Sequence, residues 1–142
     1  MISYKTLNND NPKLNCRLKE IKKYSPKRII LDNNLNTNID SFIIKTADKS
    51  NTIIFYNQAS KSQILNFRKR GINLIFSKIN NQVRFDINIL LKKLNKMGCR
   101  NLLTEGGDEL TNYTLSNKIF NRFYIYKSNK KLLKTSDYLY FN

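Results

Sequence analysis

The chain of 142 residues contains no histidine. That absence excludes a histidine-based catalytic triad and any Cys/His zinc site of the usual spacing. Its two cysteines, Cys16 and Cys99, lie far apart in sequence. Neither suggests a disulfide in a reducing compartment; Cys99 reads as a small buried hydrophobe and Cys16 as an inert thiol. Glycine and proline number only four and two, which argues against disorder over the whole length. No apolar run approaches the ~20 residues that cross a bilayer. An apolar signal segment is also missing from the N-terminus. The expectation is a soluble cytoplasmic protein with no membrane partner and no metal site.

Acidic residues are scarce too, ten against 26 Lys and Arg, for a net charge of +16. Such a balance admits a basic nucleic-acid-binding module as an alternative reading. The basic residues are spread along the chain, however, and Lys outnumbers Arg. No aromatic-basic RNA-binding motif occurs, so nucleic acid is not the expected partner. The charge also suits a small anionic substrate or a phosphorylated cofactor. Hydrophobic residues make up 40% of the chain, including eight Tyr and eight Phe. That is enough for one core, and the chain reads as a single domain over 1–142.

Residues 1–26 carry little helical or strand periodicity. Pro12 pushes Asn11 out of the helical region, and the Asn-rich stretch around it reads as a loop. A β-branched run at 27–32 reads as a buried strand, and 33–41 as a loop. Short strands are expected at 42–45, 52–56 and 72–76. Between the last two, 60–70 reads as a helix with Ile64, Leu65 and Phe67 inward and Gly71 at its end. Asp86 can cap a helix in which Ile87, Leu90, Leu91 and Leu94 recur at helical spacing, closed by Gly98. Further strands are expected at 101–104, 121–127 and, at the edge, 138–141. Strands alternating with helices imply an α/β domain with a largely parallel sheet.

The stretch Leu102-Leu103-Thr104-Glu105-Gly106-Gly107-Asp108-Glu109-Leu110 has the grammar of a strand, a tight turn and a helix running to about residue 120. Paired glycines admit close approach of backbone and positive φ. A helix N-terminus behind them favours an anion. In parallel sheets, ligands sit at the carboxyl ends of strands. Glu105-Gly106-Gly107 lies at one such end and Asp32-Asn33 at another.

Three motifs in order then narrow the reading. They are Thr6-Leu7-Asn8-Asn9-Asp10-Asn11-Pro12-Lys13-Leu14-Asn15-Cys16-Arg17, Pro26-Lys27-Arg28-Ile29-Ile30-Leu31-Asp32, and Thr104-Glu105-Gly106-Gly107. Together they span about a hundred residues. This pattern resembles the riboflavin-biosynthesis pyrimidine reductase family, the C-terminal half of the bifunctional riboflavin deaminase/reductase. The resemblance implies a three-layer dihydrofolate-reductase-like α/β domain, with a mainly parallel mixed sheet flanked by helices. It also implies NADPH-dependent reduction of 5-amino-6-(5-phosphoribosylamino)uracil to its ribitylamino product.

By the same resemblance, Thr6 and Asp10 contact the cofactor, although Asp10 taken alone reads more readily as a turn residue before Pro12. Leu14 and Arg17 contact substrate; Arg17 offers a planar fork for phosphate or hydroxyls, where otherwise it is one more solvated cation. Asn33 takes a cofactor position or is a plain turn residue. Glu105 is the substrate-binding and catalytic carboxylate. Gly107 with Asp108, Glu109, Leu110, Thr111, Asn112 and Tyr113 forms the phosphate cradle. The negative charge of Asp108 and Glu109 conflicts with an anion there, unless both complement the helix terminus and point away.

Two departures from the family pattern stand out. The chain starts almost at the Thr of the first motif, so the expectation is a shortened or partial domain lacking the first strand and helix. Exposed sheet edges would then invite pairing, and a homodimer is possible on that ground. The deaminase pattern, His-x-Glu with Cys-x-x-Cys, is absent, so zinc deamination is not expected. A reductase of the same fold acting on another substrate, such as a pterin, is the remaining alternative.

Overall fold

Residues 1–126 are described by the computed structural model. The β-branched runs become strands that lie side by side: β1 (Ile2–Ser3), β2 (Arg28–Leu31), β3 (Thr52–Tyr56) and β4 (Asn73–Phe76). They form a sheet in the order β1-β2-β3-β4 with every pairing parallel. At its centre Ile29 faces Ile53, Ile30 faces Ile54 and Leu31 faces Phe55. A central parallel strand is covered on both faces, which is why these runs are apolar at every position rather than at alternate ones.

Alternation along the strands separates two cores. Ile29, Leu31, Ile53 and Phe55 point to one face and pack with Phe85, Ile87, Leu90, Leu94 and Leu110. Ile30 and Ile54 point to the other and pack with Ile2, Leu7, Ile43, Ile44 and Phe67. Helices α4 (Ile87–Lys96) and α5 (Asp108–Ser116) therefore cover one face. On the opposite face lie α1 (Tyr4–Asp10), α2 (Phe42–Lys45) and α3 (Lys61–Lys69). The result is the three-layer α/β architecture expected from the sequence. Local chemistry sets the helix ends. Ser60 and Gln63 form a capping box at α3, and Asp86 accepts from the N–H groups of Asn88 and Ile89 at α4. Gly71 and Gly98 take φ of 78° and 84° just past the two helices.

Several expected elements differ. The opening loop contains α1, too short at seven residues to show a period. Ser3 Oγ accepts from the Thr6 N–H at its start, and Asn11, at φ 44°, ends it before Pro12. Residues Lys19–Tyr24 form a 3-10 turn. Phe42–Lys45 is a helical turn and not a strand; its adjacent Ile43 and Ile44 are both buried on the α1–α3 face. Leu65 is 55% exposed on α3, so it is not an inward residue. Neither 101–104 nor 121–126 forms a strand. Among the described residues the first is tied to the sheet by one rung, in which the Met1 amino group donates to the Leu103 carbonyl and the Glu105 N–H donates to the Met1 carbonyl at 3.0 Å. Helix α5 stops at Ser116. The edge strand expected at 138–141 lies outside the described residues.

Besides Asp32, this packing buries the charged Arg28, at 5% exposure. Its guanidinium donates to Thr46 Oγ1, the Thr46 carbonyl, Asn51 Oδ1 and Thr52 Oγ1 at 2.7–2.8 Å. Burial lowers its pKa, while these four acceptors partner both of its terminal nitrogens. The Arg of the second motif is thus a tie between β2, β3 and α2.

Phe55 is fully buried between the helices and the sheet. Phe55→Ala is expected to cost about 3–5 kcal/mol in urea unfolding. Exposed Leu65→Ser should stay within about 0.5 kcal/mol. Equal losses from both would contradict the assignment of the core.

Candidate functional site

Every strand of a parallel sheet ends on the same side. Here that side carries the start of α1 after Ser3, the turn at Asp32-Asn33 after β2, and the loop after β4. The turn Glu105-Gly106-Gly107 joins them, because its rung with Met1 runs alongside β1.

Neither glycine of that turn uses positive φ. Gly106 is needed for space: a Cβ there would come within 2.9 Å of the Leu110 Cβ. Leu110 is buried in the core beneath α5, so Gly106 lets the turn close directly onto the first turn of its own helix. A Cβ on Gly107 would meet Thr6 Oγ1 at 3.6 Å, an ordinary contact. The first and third motifs therefore meet at Thr6 and Gly107. Asp10 lies one turn beyond Thr6 on the same face of α1 and is exposed.

Two cavities open on either side of the turn. The larger, about 940 Å³, is lined by Leu14, Asn15, Cys16, Arg17 and Glu105, with Arg28, Met97 and Cys99 in its wall. All three sequence-derived substrate residues thus share one cavity. Leu14 adopts φ 44°, a conformation costly for a branched side chain. Its side chain packs against the core below α1, which holds the loop so that residues 15–17 border the cavity. Asn15 Oδ1 is buried with no hydrogen-bond partner among the described residues. It is an acceptor that sequence reasoning passed over, since its motif position carries no signal.

The main-chain amino group at Met1 also borders this cavity, and burial lowers its pKa to about 6 against the opposing pull of Glu105. Glu105 itself is exposed on the cavity wall.

The smaller cavity, about 700 Å³, is lined by Asp108, Glu109, Asn112 and Tyr113 of α5 together with Lys5 and Arg84. Four of the residues assigned to the phosphate cradle thus face one space. Leu110 points into the core instead, and Thr111 bonds the Gly106 carbonyl through Oγ1 at 3.3 Å. Asp108 does complement the helix end, since its carboxylate accepts from the Glu109 N–H at 2.8 Å. Glu109 pairs with Lys5 Nζ at 3.2 Å and lies 3.7 Å from Arg84 Nε. That hydrogen bond to Glu109 raises the Lys5 pKa.

Asn33 reaches the same side: its Nδ2 donates to the Val83 carbonyl at 3.0 Å, next to Arg84. Its Oδ1 is buried without a partner. By contrast, Asp32 accepts from the Asn36 and Thr37 N–H groups and from Thr37 Oγ1, and so closes its own loop.

A parallel α/β domain with one cavity at the carboxyl ends of its strands, and a second that runs from Glu105 past the amino ends of β1 and β2, is a framework for holding two small ligands on either side of one glycine turn. Comparison with known proteins specifies it further. The chain belongs to the RibD C-terminal domain family, whose model matches residues 1–130. It is 35% identical over 126 residues to the riboflavin biosynthesis protein RibD of Actinobacillus pleuropneumoniae, covering 89% of this chain. The protein of the same name from Aquifex aeolicus (strain VF5) is 25% identical over the same length. This chain spans 33% of each relative. Among the described residues no helix is long and apolar enough to cross a membrane.

Gly106→Ala is expected to destabilise the domain by about 1–3 kcal/mol, because Leu110 must move to admit the methyl group. Gly107→Ala should cost less than about 1 kcal/mol, the usual penalty of a poorer helix cap. Urea midpoints compare the two, and the reverse order would contradict the packing described for this turn.

Proposed function

We propose that this domain reduces 5-amino-6-(5-phosphoribosylamino)uracil to the ribitylamino product with NADPH as reductant. The observation that carries this reading is the pairing of cavities across one turn. Leu14, Arg17 and Glu105 line one cavity, and the α5 residues line the other. The family membership and the names of the two relatives support the pathway.

The residues present fit the two ligands. The buried Asn33 Oδ1 lacks a donor near the smaller cavity, and Gly107 leaves its face toward Thr6 free of a side chain. Thr6, Asp10, Asn33 and the cavity-facing residues of α5 would hold NADPH. When bound, NADPH supplies a hydride. The acceptor is C1′ of the substrate in its ring-opened imine form, and a proton completes the amine at nitrogen. The chain's own contribution is placement. Arg17 presents a bidentate donor to the substrate phosphate, and the unpartnered Asn15 Oδ1 accepts from a ring N–H or amino group. Glu105 bonds the sugar, and its carboxylate favours the protonated imine, the form that accepts hydride at C1′.

The test follows nicotinamide absorbance with NADPH and the pyrimidine substrate. Absence of turnover would refute the reading. Glu105→Gln is expected to lower turnover by about tenfold to a hundredfold while leaving NADPH affinity nearly unchanged. Asp10→Asn is expected to weaken NADPH instead. The opposite pattern would mean that the two sites are exchanged.

A further inference from the structure

The smaller cavity contains a cation pair that no motif singles out. Arg84 comes from the loop after β4, and its guanidinium lies over the Tyr113 ring, 5.7 Å from the centroid. Lys5 comes from the first turn of α1. Although they are far apart in sequence, both reach the carboxylate of Glu109, at Nε 3.7 Å and Nζ 3.2 Å. Two cations from separate elements that converge on one exposed carboxylate define a seat for an anion.

Glu109 occupies that seat loosely. Its side chain is 56% exposed, and exposed pairs of this kind are weak. Neither described contact uses the terminal Nη groups of Arg84, which remain available for a forked bond to phosphate. The tyrosine ring below supports the guanidinium from one side.

We infer that Arg84 and Lys5 seat the 2′-phosphate of the dinucleotide, and that Glu109 is a resident carboxylate which this phosphate displaces. A phosphomonoester carries up to two charges on one group and matches two convergent cations. Each phosphate of the pyrophosphate link carries a single charge. The inference rests on the proposed cofactor reading and assigns cofactor preference within it.

The experiment titrates the chain with 2′,5′-ADP, 5′-AMP, NADPH and NADH by calorimetry. The unaltered chain is expected to prefer 2′,5′-ADP over 5′-AMP and NADPH over NADH. Arg84→Gln should weaken 2′,5′-ADP and NADPH by about tenfold or more, with 5′-AMP and NADH nearly unchanged. Arg84→Lys should recover part of the loss, and circular dichroism checks that both variants fold. Glu109→Gln should tighten 2′,5′-ADP up to about fivefold, since the competitor for the seat is removed. Equal weakening of NADPH and NADH by Arg84→Gln would assign the cation to the pyrophosphate and overturn the inference. Weaker 2′,5′-ADP binding in Glu109→Gln would overturn the displacement. Binding of the unaltered chain to all four ligands without preference would also overturn it, while leaving the cofactor site standing. Failure to bind either dinucleotide would refute the cofactor reading itself.

Discussion

The contact between Gly106 and Leu110 fixes the relation between the two cavities. Leu110 is anchored among Phe55, Leu90 and Leu94, and leaves no room for a side chain on Gly106. The turn before α5 is therefore tied to the core of the domain rather than free at its surface. Glu105 on one side of the turn reaches the larger cavity, and Asp108 and Glu109 on the other reach the smaller. The spacing of three residues between Glu105 and Asp108 sets how far apart two bound ligands can lie. The proposed hydride transfer needs reacting atoms about 3–3.5 Å apart, and a short turn between the two cavities suits that proposal.

The remaining ties act on the same turn from outside the helix. The rung between Met1 and residues 103–105 holds it beside β1. Thr6 closes against Gly107 from the other direction. The strained loop at Leu14 then brings Asn15 and Arg17 to the cavity that Glu105 borders. Each of these ties joins segments about a hundred residues apart in sequence. The site is thus a product of the parallel sheet order, and no short peptide from this chain could reproduce it.

Much of this was legible in the residues. Strands β2 and β3 announced themselves because central parallel strands are apolar throughout, and α4 because its leucines recur on one stripe. Helix α1 was hidden: seven residues with one buried Leu7 show no period, and the Asn and Asp around it favour turns as single residues. Phe42–Lys45 misled for a related reason, since Ile43 and Ile44 prefer strands and only their burial against the sheet makes them helical. Residues 101–104 look like a strand in composition, yet among the described residues they pair through one rung. The motifs brought out Thr6, Arg17, Glu105 and Gly107. Arg84, Lys5 and Asn15 stayed hidden because each looks ordinary in sequence, and only the fold shows what it faces.

The central claim is that one turn separates a nucleotide site from a substrate site. Amide chemical-shift mapping of the chain, with NADPH and the phosphorylated pyrimidine added singly and then together, tests it most directly. The account predicts that NADPH shifts residues 80–84 and 108–113, that the pyrimidine shifts 14–17 and 103–105, and that both sets meet at Gly106 and Gly107. Overlapping sets for the two ligands, or shifts confined to the face covered by α2 and α3, would contradict it.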